Sequence, residues 1–197
     1  MYIIVGLGNP GKEYAHSRHN TGHIIVEEVR ILWKFPEWKE DKKLKALVSK
    51  GKRGGKSVTL VFPETFMNKS GVSLKHLVTS VKKAEKLGVV HDDLDLPLGT
   101  LKLSFNRGSA GHRGVESIMR AVKTKGFLRF RVGVSEKTSK GIPKKPRGEK
   151  AVNSFILNNF KPKEEGELKK VAHRVNIALD AWLTEGRGKA TEVAHRK

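Results

Sequence analysis

His19 and Asp92 are the side chains of this sequence best suited to acid–base chemistry. A histidine can take a proton from water near neutral pH, and His19 comes just before an expected helix, a position that favours anions. Asp92 ends an expected buried strand, where a carboxylate can fix a histidine tautomer and stabilise the imidazolium. Asp95 could play the same part. Because no G-x-S-x-G motif occurs, a His–Asp pair points to direct activation of water.

Asn9 is a further candidate because it follows the apolar run at residues 2–5. Open α/β sheets place their sites at the carboxyl ends of strands, and an asparagine offers a donor and an acceptor to a substrate amide. Three other stretches end strands or open helices in the same manner, at residues 63–71, 89–95 and 109–114. The sequence therefore predicts a site assembled from several strand ends.

A metal site is the competing interpretation of the same polar residues. Asp92, Asp93 and Asp95, together with His91, could hold magnesium or manganese. His19 also precedes His23 at a spacing that can grip zinc on a helix. The sequence lacks His-Glu-x-x-His, however, and Leu-Asp-Leu-Pro at residues 94–97 is typical of a structural turn. We therefore expect neither a metal nor a cofactor.

The glycines near the start of the chain spell the dinucleotide-binding pattern G-x-G-x-x-G, at Gly6, Gly8 and Gly11. In a dinucleotide fold the helix begins within this loop, and an acidic residue about 20 positions later ends the second strand. Here residues 9–12 form a turn sequence, and the next helix is expected only near Thr21. The acidic residues at the required distance lie in that helix. The glycines are therefore predicted to allow close packing and a turn.

Charge is the strongest global feature of the chain. Forty Lys and Arg against twenty Asp and Glu give a formal net charge of +20. A field of this sign attracts polyanions, nucleic acid above all. Cysteine is absent, which excludes thiol catalysis and cysteine-ligated zinc. No apolar run is long enough to span a bilayer and no signal peptide is evident, so we expect a cytoplasmic protein.

The apolar pattern alternates strands with helices, as expected for an α/β layered sheet that is partly parallel and contains one antiparallel hairpin. Strands are expected at residues 2–5, 44–49, 58–62, 87–91, 101–105 and 127–134, and helices at residues 21–33, 70–82, 115–123 and 163–185. Residues 137–150 contain six Lys and Arg with prolines and glycines, and are expected to form a mobile basic loop. The length of 197 residues suits one catalytic domain, residues 1–185, and a mobile basic tail, residues 186–197.

Taken together, the polar stretches resemble the bacterial-type peptidyl-tRNA hydrolase family. Each block is weak alone, but the blocks occur in the family's order and spacing over nearly the whole chain. They are residues 6–11, Tyr14, Arg18-His19-Asn20, residues 63–71 with Thr65-Phe66-Met67-Asn68, residues 91–97 and Gly111-His112. The resemblance implies a single α/β globule with a mixed twisted sheet between helices, monomeric and free of cofactor.

The same resemblance implies an activity: hydrolysis of the ester that joins a peptide to the 3′-terminal ribose of tRNA, which recycles tRNA from aborted translation. It implies that His19 is the catalytic base and Asp92 the carboxylate that orients it. Further roles follow for substrate-binding residues: Asn9 and Asn68 hold the peptide and the reacting carbonyl, Met67 forms an apolar wall, Tyr14 lies beside the tRNA 3′ end, and His112 belongs to the same site. Arg131 would meet tRNA phosphate.

Two positions depart from the family pattern. The family continues Gly-His with asparagine, whereas this chain has Arg113, which cannot accept a hydrogen bond and carries a fixed charge. Arg113 could donate to a developing oxyanion, clamp a phosphate or block the pocket. Ser104 stands where the family often has a tRNA-binding lysine, a contact that Lys102 and Arg107 could take over. The alternative is therefore a catalytically weakened or inactive RNA-binding protein on the same scaffold.

Overall fold

A mixed β-sheet forms the centre of the computed structural model, which describes residues 1–196. Its strands are β1 (Tyr2–Gly6), β2 (Lys39–Asp41), β3 (Ala46–Arg53), β4 (Lys56–Pro63), β5 (Leu87–Pro97), β6 (Leu101–Phe105), β7 (Leu128–Lys137) and β8 (Pro143–Lys144). Seven lie in the order β2-β3-β4-β1-β5-β7-β6, and β8 pairs with β7 outside this path. The central strands β4, β1, β5 and β7 are parallel to one another, while the edges are antiparallel.

Helices cover both faces of the sheet. They are α1 (Thr21–Leu32), α2 (Val81–Ala84), α3 (Arg113–Val122), α4 (Glu149–Leu157), α5 (Pro162–Glu185) and α6 (Arg187–His195), with 3₁₀ turns at Lys12–Tyr14, Arg18–Asn20 and Met67–Leu74. Because side chains alternate along a strand, one face of β1 packs with α1, α5 and α6, and the other packs with α3 and the Met67–Leu74 turn. The predicted α/β class, with a mixed sheet between helices, is confirmed.

The register of the central strands brings their carboxyl ends to one edge. Val5 of β1 is aligned with Val61 of β4 on one side and with Val89 of β5 on the other. Helix α1 then packs directly on the end of β1, since a Cβ added to Gly22 would lie 2.2 Å from the backbone nitrogen of Leu7. Glycine at this contact therefore holds the segment before α1 close to the strand ends.

The predicted helix at residues 70–82 is wrong. The structure has the 3₁₀ turn Met67–Leu74 and, after a break, the short helix α2. Tertiary contact explains the difference, because Gly71 lies against α3: its N–H donates to Ser117 Oγ at 3.0 Å, and an added Cβ would lie 2.2 Å from the Ser117 carbonyl oxygen. The segment winds tightly to make this contact.

Two basic segments contain more regular structure than the sequence pattern indicated. The expected loop at residues 137–150 includes β8 and the first two residues of α4. The expected mobile tail contains helix α6, in which Ala190 and Ala194 are buried, and Arg174 Nη2 donates to the Ala194 carbonyl at 2.9 Å. The domain boundary after residue 185 stays a prediction. Within residues 1–196, no helix has both the length and the apolar character needed to cross a membrane.

Candidate active site

A cleft of about 1000 Å³ opens at the carboxyl ends of the parallel strands. It is formed by the segments that follow β1 and β4, the second half of β5, the turn before α3, and residues 143–157 with helix α4. Of the eight residues proposed as catalytic or substrate-binding, seven line this cleft: Asn9, His19, Met67, Asn68, Asp92, His112 and Arg113. Asp93 and Asp95, the other carboxylates considered from the sequence, also line it. Residues that are far apart in sequence therefore meet in one cavity.

His19 and Asp92 are in direct contact. His19 Nδ1 lies 3.0 Å and 3.1 Å from the two carboxylate oxygens of Asp92, and both residues are buried. Since an ionised carboxylate only accepts hydrogen bonds, Nδ1 carries the proton in this contact. The Nε2 atom of a neutral His19 is then an unprotonated acceptor, which is the form that a general base requires.

His112 makes the second contact to Asp92, at the oxygen Oδ1 that also lies near His19 Nδ1. Its Nε2 lies 2.9 Å from Asp92 Oδ1, and the side chain is 9% exposed. The other ring nitrogen, Nδ1, accepts from the backbone N–H groups of Gly114 and Val115 at 3.2 Å and 3.3 Å. These N–H groups open helix α3, so His112 caps the helix and is fixed as the tautomer that donates through Nε2.

Asp92 is ionised in this arrangement. Burial alone would raise the pKa of its carboxyl group, but the two histidines outweigh burial, through their charge and their N–H groups, and lower the pKa of Asp92 far below its ordinary value. The carboxylate therefore stays negative and can stabilise positive charge on His19.

Asn9 is held by Asn20, the residue next to His19. Asn20 makes two reciprocal bonds to the Asn9 backbone: its Oδ1 accepts from Asn9 N and its Nδ2 donates to Asn9 O, each at 2.9 Å. The side-chain Oδ1 of Asn9 accepts from the backbone N–H of Met67 at 2.8 Å. The Nδ2 group of Asn9 is left as the donor that the side chain can offer to a substrate in the cleft.

Met67 and Asn68 form the wall beside Asn9. Met67 is buried, and a Cβ added to Gly114 would lie 2.3 Å from its sulfur, so the thioether packs against the start of α3. Asn68 is exposed in the cleft. Phe66, 58% exposed, adds an aromatic side chain at the same rim. This wall combines an apolar surface with one free amide.

Arg113 lies at the rim of the cleft. Its guanidinium Nη2 donates to Glu149 Oε1 at the start of helix α4, and both side chains are exposed. His112, the neighbouring residue, points the other way toward Asp92. The guanidinium is thus engaged at the edge of the cavity, on the side formed by α4.

The remaining predicted residues lie outside the cleft. Tyr14 is partly buried in the Lys12–Tyr14 turn and does not line the cavity. Lys102, Arg107 and Arg131 surround a second pocket of about 560 Å³ along β6 and β7, which adjoins the first because Ala110 lines both. Arg131 is also paired, since its Nε donates to Asp93 Oδ2 at 2.6 Å.

Sequence reasoning assigned no role to four polar residues that line the two pockets or support the residues of the cleft. Asn20 belonged to the Arg18-His19-Asn20 block but had no role of its own in the site, and Glu149 lay in the basic loop expected at residues 137–150. Arg129 is buried in the basic pocket without a hydrogen bond to any described residue, and burial and the nearby Arg131 charge lower its pKa. Arg18 is buried with Glu164. The sequence did offer one indication of this role for Arg18: a charged residue directly before His19, within the Arg18-His19-Asn20 block.

Arg18, the residue before His19, contacts the helices α4 and α5. Its Nη2 donates to Glu164 Oε2 of α5 at 2.7 Å, and the guanidinium stacks on Phe155 and Phe160 at 4.7 Å and 4.9 Å. Glu164 also accepts from the backbone N–H of Lys161 at 2.7 Å, which closes the first turn of α5. Through Arg18, the backbone next to His19 is therefore anchored to helix α5.

Metal ligation offers a second use for the same side chains. Among residues 1–196, the donor atoms of His19, Asp92 and His112 lie within 4.8 Å of one another, close enough for a metal ion. The donors at these positions are the atoms that hydrogen-bond within the group, so an ion would replace those bonds. The other proposed pair, His19 with His23, does not meet, because the His23 ring stacks on Phe62 at 4.3 Å.

Comparison with known proteins agrees with this geometry. A family model described as "Peptidyl-tRNA hydrolase" matches residues 3–197. The peptidyl-tRNA hydrolase of Aquifex aeolicus is 41% identical over 171 residues, which cover 86% of this chain and 83% of that protein. The Brevibacillus brevis protein of the same name is 35% identical over 189 residues, covering 94% of this chain and 93% of its own.

A solved structure shows the same fold. The crystal structure of peptidyl-tRNA hydrolase from Acinetobacter baumannii superimposes with a TM-score of 0.86 at 28% sequence identity, over 98% of this chain and 94% of the other. Sequence and fold thus agree over nearly the full length. The chain belongs to the peptidyl-tRNA hydrolase family.

Proposed function

We propose that this protein hydrolyses the ester bond between a peptide and the 3′-terminal ribose of tRNA, releasing free tRNA and peptide. The observation that carries the proposal is the buried contact of His19 Nδ1 with Asp92, at 3.0 Å, which leaves Nε2 as the acceptor for a water proton. An aminoacyl ester is already activated, so one positioned base with a few amide dipoles is sufficient machinery.

The reaction begins with water in the cleft. His19 Nε2 takes a proton as the water oxygen attacks the ester carbonyl, and Asp92 stabilises the imidazolium that forms. The Asn9 Nδ2 group and the Asn68 amide are the donors available to the carbonyl oxygen as it becomes negative. Collapse of the intermediate breaks the bond to the ribose oxygen, which receives the proton from His19.

The peptide and the tRNA occupy different parts of the molecule in this proposal. Met67 and Phe66 offer apolar surface to the peptide, whereas the adjoining basic pocket offers Lys102, Arg107 and Arg131 to tRNA phosphates. Arg131 shares its charge with Asp93, so Lys102 and Arg107 are the exposed cations of the three. Tyr14 beside the tRNA 3′ end stays a prediction of the family resemblance.

The alternative, an RNA-binding protein without catalysis, rested on Arg113. In the structure its guanidinium pairs with Glu149 at the rim, and His19 keeps its contact with Asp92. Nothing in this geometry favours the alternative. We further propose that the protein acts in the cytoplasm as a monomer, because its substrate arises during translation and one chain supplies every residue of the mechanism. Light scattering at working concentration tests the oligomeric state.

The direct test is hydrolysis of an N-acetylaminoacyl-tRNA in water labelled with heavy oxygen. The proposed reaction releases free tRNA and places the label in the carboxylate of the N-acetylamino acid, because water attacks the carbonyl carbon. Mass spectrometry of both products reads the outcome. Absence of cleavage, or label on the ribose, would contradict the proposal, and tRNA binding without cleavage would favour the RNA-binding alternative.

A further inference from the structure

Helix α4 forms one wall of the cleft although it is weakly packed. Val152, Asn153, Ile156 and Leu157 of this helix line the cavity. None of its residues is fully buried. A helix is stabilised mainly by burying an apolar face, and Phe155 of α4 packs against the core and against Arg18 near the C-terminal end. The position of the N-terminal half of α4 therefore depends on what holds that end.

The C-terminal end of α4 is fixed by backbone hydrogen bonds to the segment before His19. The Arg18 N–H donates to the Asn158 carbonyl at 3.0 Å, and the Phe160 N–H donates to the His16 carbonyl at 3.2 Å. Ser17 and Asn159 form an isolated β-bridge between these bonds. This end of the helix is therefore part of the structure that positions the base.

The N-terminal end is attached differently. It follows Gly148, which has a φ of 83°, and an exposed stretch from Lys144 to Arg147 with only Pro146 partly covered. The first residue of the helix, Glu149, accepts from Arg113, the first residue of α3. Its carboxylate is also placed where the helix dipole favours negative charge.

We propose that Arg113 is a positioning residue: it holds the N-terminal end of α4 against α3 and so sets the width of the peptide side of the cleft. This inference rests on the proposed function only for the identity of the ligand, a peptide. The contact between Arg113 and Glu149 does not depend on that function. Arg113 thus acts through Glu149 on the wall that receives the peptide. The arginine that departs from the family pattern has a structural partner of its own in this chain.

The expected effect is modest because the pair is exposed. Ion pairs of this kind contribute at most about fivefold to an equilibrium. Losing the pair lets α4 move outward from Gly148, which weakens peptide contacts. The contacts among His19, Asp92 and His112 are independent of Glu149. The Michaelis constant should therefore rise while the turnover number stays nearly constant.

A double-mutant cycle with hydrogen–deuterium exchange tests the contact. The variants are Arg113→Gln, Glu149→Gln and the double variant of the full chain, with Lys170→Gln, which breaks the exposed Lys170–Glu167 pair on α5, as the matched control. Each single variant should raise amide exchange in residues 150–157 about two- to fivefold. The double variant should add nothing to the singles, because the second substitution has no partner left to remove. Arg113→Lys should restore part of the protection.

The same variants are then assayed for cleavage of N-acetylaminoacyl-tRNA. We expect the Michaelis constants of both singles to rise together and the control to match the parent. Exchange that stays at the parent level, or effects that simply add in the double variant, would overturn the inference. If the parent itself does not cleave, the proposed function fails, while the exchange data still decide whether Arg113 holds α4.

Discussion

Asp92 joins two histidines with opposite tasks. His19 presents Nδ1 to the carboxylate, and in the proposed mechanism its Nε2 faces the substrate, whereas His112 presents Nε2 and uses Nδ1 to cap α3. The helix N–H groups thus determine the His112 tautomer, and this leaves Asp92 with two donors and a fixed orientation. A base that is preorganised in this way needs little rearrangement when the reaction starts.

The polar residues of the cleft could be predicted from sequence because strand ends and short motifs locate them. The supporting contacts could not. Asn20 and Glu149 act on partners 11 and 36 positions away, respectively, and no local pattern in one sequence identifies such pairs. Arg113 was recognised as a departure from the family pattern. The direction of its side chain, however, depends on Glu149 in α4, a helix that the apolar pattern did not predict.

His23 makes stability depend on pH in a way that a single substitution can test. Its Nε2 is buried without a hydrogen-bond partner among residues 1–196, and burial lowers the pKa of His23 from 6.5 to about 4. Between these values the unfolded chain binds a proton that the folded chain excludes. Stability from this group is therefore complete above pH 6.5 and is lost as the pH falls toward 4, by about 1.4 kcal/mol per pH unit.

We expect His23→Phe to flatten this dependence, because phenylalanine keeps the stack on Phe62 and does not titrate. Urea unfolding at several pH values between 4.5 and 7 measures the slope. The exposed histidine His76, changed to Gln, is the control and should leave the slope unchanged. An identical slope in parent and His23→Phe would show that His23 is not responsible.

Secondary structure elements divide into those fixed by local pattern and those fixed by contacts. Most buried strands and the helix α5 follow apolar periodicity and were predicted within a few residues, but β5 continues to Pro97, six residues beyond its expected end at His91. Residues 70–82 have the same periodicity, yet Gly71 must approach Ser117 of α3 and the chain winds as a 3₁₀ turn. Helix α4 escaped prediction for a related reason: it has no fully buried face to create a strong pattern.

The Arg18–Glu164 pair is the strongest link between elements behind the site. Both side chains are buried, and removing one partner of such a pair costs about 3–5 kcal/mol because the other charge is left without compensation. We expect Arg18→Met to lower the free energy of unfolding by this amount, measured by urea denaturation. Arg18→Met combined with Glu164→Leu should recover part of the loss.

The exposed pair Lys170–Glu167 on α5 provides the matched comparison. Lys170→Met should leave the free energy of unfolding unchanged, because solvent screens both charges. Equal effects of Arg18→Met and Lys170→Met would mean that the buried pair does not link the elements as described.

The whole molecule carries its net charge of +20 unevenly with respect to the two pockets. The catalytic cleft combines acidic and basic side chains, whereas the adjoining pocket has five cations: Lys102, Arg107, Arg129, Arg131 and Arg187. A polyanion is therefore attracted most strongly to the β6 edge of the sheet. From there its end can enter the cleft through the shared boundary at Ala110.

Salt dependence tests this distribution. We expect Lys102→Ala and Arg107→Ala each to weaken tRNA binding and to reduce the slope of log K against log salt by about one, since each removes one phosphate contact. Lys39→Ala, on the opposite edge strand β2, is the control and should leave the slope unchanged. If the slope of log K against log salt is the same for all three variants, the tRNA does not bind at the pocket along β6 and β7.

The most direct test of the account is the single-turnover rate of N-acetylaminoacyl-tRNA hydrolysis by His19→Ala, with the exposed histidine variant His76→Ala as control. If His19 is the base, its loss should lower the rate about 10²- to 10⁴-fold, leave tRNA affinity unchanged and leave His76→Ala equal to the parent. A His19→Ala protein that cleaves the ester as fast as the parent would contradict the central claim.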